Sequence, residues 1–469
     1  MKTKTIVIFN IFILSFLFIA SCKTQTNLPY QSFGKIDYQL SSDDEKLLDS
    51  IQYKTFLYFL NEHHPDKGIV KDRSAEWAPA SIAATGFGLP GFAIASERNW
   101  ISRDQAIDIT LKILRFFADS PQNTDINGVG YKGFYYHFLK MNSCTREWNC
   151  ELSSIDSGLL LMGVIFARNY YNKNTKEEIE IRKLSDFLLS RLDWNLFYMP
   201  DNSKHPNTIS MAWRPEDGQL NWGWHGYTEA LFLYILAAGT DMENVEKSYQ
   251  GWLRTYEWKT PYKGLSHVIF PPLFGHQFSQ AFIDFRGLAD EYMKAKGIDY
   301  FENSRRATLA QQQYAIENPK GWKDYDAFTW GFSACDGPGD KFNFGNKKFE
   351  GYAGRGASGK DITVAEDGTI APYAVLSSLP FTPELSIATI KNMNSKFGNK
   401  LWGKYGFYDS FNPTAKWIDN DFIGIDQGPM LLMIENFRTG MVWNYVMKDP
   451  VIQKGLKKLN FEYINIQDK

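Results

Sequence analysis

This sequence predicts an all-α chain whose helices close into an (α/α)6 barrel, and three observations carry that expectation. Roughly twelve stretches from about residue 43 onward have apolar residues at helical spacing, while strand-like alternation is scarce outside the loops. The connections alternate in length. Those after the even-numbered helices are a few residues long, whereas those before them run from about fifteen to about fifty, against a usual roughly 2–8. The even-numbered helices are also the more apolar: GLLLMGVIFARNYY and EALFLYILAAG carry few charges, while TKEEIEIRKLSDFLLSR is amphipathic. A helix apolar on most sides suits an inner ring and an amphipathic one an outer ring. Antiparallel pairs stacked in a ring would place every long connection, and the N-terminus of every even-numbered helix, on one face. A solenoid of helical repeats is the competing architecture, and the absence of self-similarity at a fixed period argues against it.

In order, the expected helices span 43–63, 79–96, 103–119, 154–171, 175–191, 225–238, 243–255, 277–294, 298–316, 369–379, 382–397 and 427–438. Ahead of them, Met1-Lys2-Thr3-Lys4 precedes an apolar run from Ile6 to Ala20, broken by Asn10 and Ser15. A basic start and a short apolar stretch ending in small residues read as a secretory signal rather than a membrane span. Ile19-Ala20-Ser21-Cys22 resembles a bacterial lipobox, so residues 1–22 are expected to be a lipoprotein signal with Cys22 the lipidated residue, and 23–42 a polar tether. The alternative is an ordinary cleaved signal with a stray cysteine. An exported, lipid-anchored protein, periplasmic or facing out from the cell surface, is the expectation. Residues 43–469 then form a single domain, expected to be monomeric.

Composition narrows the partners. With 22% charged residues, 44% hydrophobic residues and a net charge of −2, the 469-residue chain has neither a basic patch nor a long acidic tract. Nucleic acid is therefore not an expected partner. Aromatics reach 16%, and many of them fall in the long connections. After Cys22 only Cys144, Cys150 and Cys335 remain; Cys144 and Cys150 either oxidise into a small loop or stay reduced and buried. No paired CxxC occurs, which leaves no zinc site built from cysteines.

The stretch WGWHGYTEALFLYILAAG (222–239) sets Trp222, Trp224, His225 and Tyr227 beside one carboxylate, Glu229, where a turn-rich segment becomes an apolar helix. Aromatic rings stack on the C–H faces of sugars, and a carboxyl crowded by apolar groups keeps its proton nearer neutrality, which suits a general acid. The plain alternative is a first-turn glutamate complementing the helix dipole. The arrangement recurs: Asp156 opens the fourth helix in ELSSIDSGLLLMG, and Asp426 opens the twelfth in GIDQGPMLLMIENFRTG. All three acids would project toward the face that carries the long loops. Those loops add His137 among the aromatics of GYKGFYYHF, then His276, Gln277, Asp284 and Arg286 from FPPLFGHQFSQAFIDFR, and Trp330 and Asp336 from WGFSACDGP. A buried imidazole bonded to backbone is the alternative for His137 or His276.

Only His63 and His64 are adjacent and no HExxH occurs, so no metal or cofactor is expected. The signatures of serine hydrolases, P-loops and dinucleotide folds are missing as well. Acid–base chemistry by carboxylates remains, and glycoside hydrolysis needs two of them: one protonated to assist the leaving oxygen, one ionised to attack or to activate water.

Six ordered motifs resemble the bacterial glycoamylase-domain family: GFYYHFL (133–139), SSIDSGLLLMG (153–163), WGWHGYTEALFLYILA (222–237), HQFSQAFIDFRG (276–287), DGTIAPYAVLSSLPFTPE (367–384) and GIDQGPMLLMIENFRTGMVW (424–443). Together they cover nearly all the chain from about residue 43. Similar members belong to glycoside hydrolase family 144, metal-independent endo-β-1,2-glucanases with an (α/α)6 barrel that invert the anomeric centre. The resemblance implies that Glu229 is the general acid and that Asp156 and Asp426 are cleft acids, with Asp426 preferred as the base. It further implies that His137, Trp222, His225, His276, Gln277, Asp284 and Arg286 line the sugar subsites. The sequence departs from the family pattern after Asp156, where Ser157 and Gly158 stand in place of a threonine-like residue. The family's name suggests α-glucans, but that label rests on likeness to other barrels of this kind. Two alternatives stay open: an exo-acting glucosidase on another glucan, and a surface glycan-binding lipoprotein without activity.

Overall fold

The computed structural model describes residues 31–342 and 347–464, and these are mostly helical. The expected signal, Cys22 and the first part of the tether lie outside the described residues. Fifteen α-helices follow in order: α1 (Ser42–Asn61), α2 (Ile82–Glu97), α3 (Arg103–Asp119), α4 (Ser154–Tyr170), α5 (Lys176–Ser190), α6 (Leu231–Gly239), α7 (Val245–Leu253), α8 (Phe274–Phe282), α9 (Glu291–Lys296), α10 (Tyr300–Glu317), α11 (Pro372–Ser377), α12 (Pro383–Phe397), α13 (Gly424–Thr439), α14 (Met441–Val446) and α15 (Pro450–Lys458).

Many of them start where the sequence offers an acceptor to the orphan amides of a first turn. Ser102 and Gln105 form a capping box at α3, Ser153 accepts from the Asp156 amide at α4, and Thr175 accepts from Glu178 at α5. Two expected helices differ from what is found. The one at 225–238 begins only at Leu231, because Gly226 takes a left-handed φ of +68° and the segment before Ala230 turns instead of coiling. The one at 277–294 is two helices. The chain leaves α8 at Ile283 in extended conformation, and Asp290 caps a separate α9 by accepting the Met293 amide. Apolar residues run on through the break, and Ile283, Phe285 and Leu288 are buried by a loop rather than a helix face. The helices α14 and α15 lie beyond the expected twelve.

The most apolar helices are neighbours. α2 packs on α4 so closely that a Cβ on Gly163 would lie 2.1 Å from the Gly86 carbonyl oxygen. α4 packs on α6, whose every residue is buried; burying a Leu, Ile or Phe there contributes roughly 1.5–3 kcal/mol each. Ser279 in α8 accepts from the Phe232 amide and donates to the Glu229 carbonyl, tying α8 to the start of α6. α8 contacts α11 and α13, α11 packs on α13, and α13 returns to α2. The more polar helices pack against these: α3 on α2 and α5, α5 on α4, α15 on α6, α10 on α8, α12 on α11 and α1 on α13.

The strands are short and lie in the connections. Leu152–Ser153, Ala212–Arg214 and Gly218–Gln219 make a three-stranded antiparallel sheet, with Leu152 opposite Trp213 and Trp213 opposite Gln219. This sheet leads straight into α4. Cys144, Cys150 and Cys335 are all free and buried, so the oxidised alternative for Cys144 and Cys150 does not hold. The Cys150 thiol instead donates to the Phe138 carbonyl at 3.4 Å.

Candidate active site

The starts of α2, α4, α6, α8 and α13 converge on one cavity of about 500 Å³, lined among others by Ser81, Asp156, Glu229, Phe274 and Asp426. Asp156 sits in the first turn of α4, where Ser153 donates to its carboxylate and accepts from its amide. Asp426 holds the same place in α13 and is 1% exposed. Glu229 stands two residues ahead of α6, in the turn that Gly226 makes.

The long connections supply the rim. Trp77 and Trp148 are 66% and 55% exposed, with ring centroids 6.1 Å apart, and Tyr352 is 56% exposed on the same cavity. Exposed aromatics of this kind suit the apolar faces of sugar rings. Asp72 and Arg73 complete the wall from the connection before α2.

Two charge systems meet here. Burial opposes the charge on His137, but Asp156 at 3.5 Å and Glu151 at 2.9 Å overcome it and hold the imidazolium up to about 9. Burial, with the Asp156 charge adding to it, pushes the Glu229 carboxyl up to about 7. Around Asp426 the acids are crowded. Its carboxyl is raised by burial, and that of Asp409 is raised further by burial and by Asp426 beside it. Among the described residues no cation pairs with Asp426, whose carboxylate meets only the Asp409 carboxyl and the Tyr373 hydroxyl, and one oxygen each of Asp409 and Asp419 finds no donor. Asp419 is pushed up to about 8 by burial and by Asp409.

Asp336, Asp409 and Asp419 each bring a carboxylate oxygen to within 4.8 Å of the others, a spacing that a cation can use. Arg73 already supplies positive charge there, bonding Asp336 at 2.7 Å and Asp72 at 3.3 Å with Asp421 at 3.7 Å.

The structure therefore brings Glu229, Asp156, Asp426 and His137 to one cavity, with Asp336 just behind Arg73. It places the other expected residues elsewhere. Trp330 is wholly buried and donates to Thr389. His276 is wholly buried, bonded through Nε2 to the Phe270 carbonyl and packed on Tyr227; burial and nearby His267 push it down to about 3. Gln277 spends its amide on the Ala374 carbonyl and the Ser378 hydroxyl, bracing α8 against α11. Asp284 and Arg286 pair with each other beyond the C-terminal end of α8, the end away from the cavity. Trp222 and His225 form an outer cluster with His205, which stacks 3.9 Å from His225. In each case the residue type suits a sugar, but chain direction or tertiary packing sends it elsewhere.

Asp72, Arg73, Trp77, Trp148, Tyr352 and Asp409 are site residues that sequence patterns did not single out. A signal existed for the first three: DRSAEW, charged and aromatic, precedes an almost uncharged helix. That is the setting in which Asp156 and Asp426 were found.

A family model described as "Glycoamylase: Putative glucoamylase" matches residues 221–450. A crystal structure of a "putative glucoamylase" from Bacteroides uniformis is 32% identical, with a TM-score of 0.77 covering 92% of this chain and 100% of that one. The endo-β-1,2-glucanase of Chitinophaga pinensis, solved with sophorotriose and glucose, is 26% identical, with a TM-score of 0.75 over 90% of this chain and 99% of its own. The exo-β-1,2-glucooligosaccharide sophorohydrolase (non-reducing end) of Parabacteroides distasonis is 27% identical over 452 residues, 89% of this chain. The chain spans 58% of the length of that relative.

Proposed function

This chain belongs to the glycoamylase-domain family, and we propose that it is a glycoside hydrolase that cleaves internal β-1,2-glucosidic bonds of β-1,2-glucan with inversion. The observation that carries this reading is a buried, proton-holding Glu229 lining the same sugar-sized cavity as a second buried acid, Asp426, that no cation pairs. The cavity is rimmed by exposed Trp77, Trp148 and Tyr352. The endo-acting relative from Chitinophaga pinensis supports the linkage.

Glu229, protonated near neutrality, donates to the glycosidic oxygen as the C1–O bond breaks and its electron pair leaves with that oxygen. A water attacks C1 from the opposite face and gives up its proton to Asp426. Asp426 and Asp409 titrate as one buried, coupled pair whose proton affinity burial raises, and the form of the pair that has given up a proton is the one that accepts from the water. Asp156 works from the side: its negative charge keeps the proton on Glu229, while His137 holds Asp156 in place. The helix neighbours α2, α4, α6, α8, α11 and α13 support an (α/α)6 toroid, with the six outer helices as the second layer.

Incubating the protein with linear β-1,2-glucan and following the products by NMR over the first minutes tests this reading. Short oligosaccharides appearing first in the α-configuration are expected. The sophorohydrolase relative supplies a second reading, removal of disaccharides from a chain end; sophorose as the sole early product would select it. Binding without new reducing ends across a glucan panel would reject both in favour of a glycan-binding role. Export and lipid anchoring at Cys22 belong to the same proposal, supported by the Ile19-Ala20-Ser21-Cys22 motif; Cys22→Ala should leave the membrane fraction.

A further inference from the structure

A second cavity, of about 350 Å³, opens on the other side of Asp156. His137, Ile155 and Asp156 line both cavities, so the two adjoin at the first turn of α4. Glu229 and Asp426 border only the first. The volume of the second lies within the roughly 300–1,000 Å³ of ordinary ligand sites.

Its wall is the hairpin Ala212–Arg214 and Gly218–Gln219 with the residue that follows, Leu220. Leu220 is 49% exposed and the Arg214 side chain 48% exposed. Trp213 rests on Tyr131, with centroids 5.2 Å apart, and its partly exposed ring also borders the cavity. An apolar ring and an aliphatic side chain beside a guanidinium match a pyranose, which presents C–H faces and a belt of hydroxyls. The hairpin is also registered on the reaction centre. Ala212 pairs with Ser153, the residue that caps α4 and bonds the Asp156 carboxylate. A sugar held against Trp213 is therefore fixed relative to Asp156 through a strand pairing rather than a free loop.

We propose that this second cavity binds a glucosyl unit of the same chain remote from the scissile bond, and that it makes turnover depend on chain length. The proposal rests on the hydrolase reading above. It gives the hairpin a defined role: it holds a chain running past Asp156, as cleavage within a chain requires, and a substrate too short to reach it forfeits that contact.

The test compares wild type, Trp213→Ala and Arg214→Ala full-length protein on linear β-1,2-glucans of defined length, with β-1,3-, β-1,4- and α-1,4-glucans alongside. For wild type, kcat/KM should rise with length until the chain spans both cavities. Trp213→Ala should lose about tenfold on long chains, the equivalent of ~1.4 kcal/mol, and nothing on the shortest chain cleaved. Arg214→Ala should lose a smaller factor with the same length dependence. Equal losses at every length, or none on long chains, would overturn the proposal.

Cleavage of another linkage alone would fail the β-1,2 reading while leaving the length comparison to be run on that glucan. Should nothing be cleaved, calorimetric titration of the β-1,2 series into Glu229→Gln decides: affinity that grows with length in that background and not when Trp213→Ala is added supports the remote site, and length dependence unaffected by Trp213→Ala refutes it.

Discussion

Asp284 follows α8, Glu435 lies toward the C-terminal end of α13 and Asp449 caps α15, all away from the cavity, and each bonds an arginine: Arg286 at 2.6 Å, Arg98 at 2.7 Å and Arg168 at 2.5 Å. Asp409, Asp419 and Asp426 lie on the cavity side, and among the described residues no cation pairs with them. Both sets are buried and both consist of acids. A buried ion pair fixes geometry, and removing one member strands the other in low dielectric. A buried acid without a cation gains affinity for a proton at a cost to stability, and burial raises even Asp284, where Arg286 works against it, so the partner and not the burial is what differs. The contrast separates architecture from chemistry more sharply than burial or residue type does.

The comparison breaks most visibly if a cavity acid proves dispensable. Glu229→Gln should lower kcat by about 10³-fold, within the range that general acid catalysis supplies, with KM little changed and the circular dichroism spectrum intact. Wild-type turnover in that variant would leave Glu229 a buried residue with no part in the reaction. On the other end, Asp284→Ala should lower unfolding free energy by about 3 kcal/mol in denaturant titration, because Arg286 is left buried without its carboxylate, while activity per folded molecule stays near wild type. A large loss of kcat with unchanged stability would reverse the assignment of the two ends.

The smallest effect sharpens the distinction through pH. The Glu229 carboxyl is raised in the folded state from an ordinary 4.5 to about 7. Its contribution to stability is therefore fully present below about 4.5 and is lost as pH rises through about 7. Glu229→Gln removes that dependence. Its thermal midpoint relative to wild type should be higher at pH 8.5 than at pH 5, by the equivalent of about 2 kcal/mol. The same proton sets the alkaline limb of kcat/KM, which should fall as pH rises past about 7.

How much of this was legible in the sequence depended on how local the determining physics is. The helix expected at 103–119 coincides with α3, since a serine cap, a glutamine three residues on and an amphipathic repeat are all local. Asp156 and Asp426 were legible for the same reason, each opening an apolar helix. What failed was long-range. HQFSQAFIDFRG reads as one face of a site, but its chain runs away from the cavity, so His276 and Gln277 brace neighbouring helices and Asp284 and Arg286 emerge at the opposite end. Asp409 carries no local signal at all, because its importance comes from Asp426 beside it and Asp336, whose amide it accepts, both far away in sequence.

The seam between α2 and α4 has a practical consequence. With the Gly86 carbonyl where the Cβ of residue 163 would lie, those two helices cannot be respaced by substitution, and the Ser81 and Asp156 ends of both are indexed to one another. The connections beyond that seam are pinned at points of their own: a Cβ on Gly130 or Gly133 would meet a backbone oxygen at 2.4 or 2.7 Å, and Ala212 pairs with Ser153. Shuffling the segments 120–151 and 199–222 between relatives while freezing Gly86, Gly163 and those three points would therefore exchange the walls of the two cavities as cartridges on an unaltered chassis.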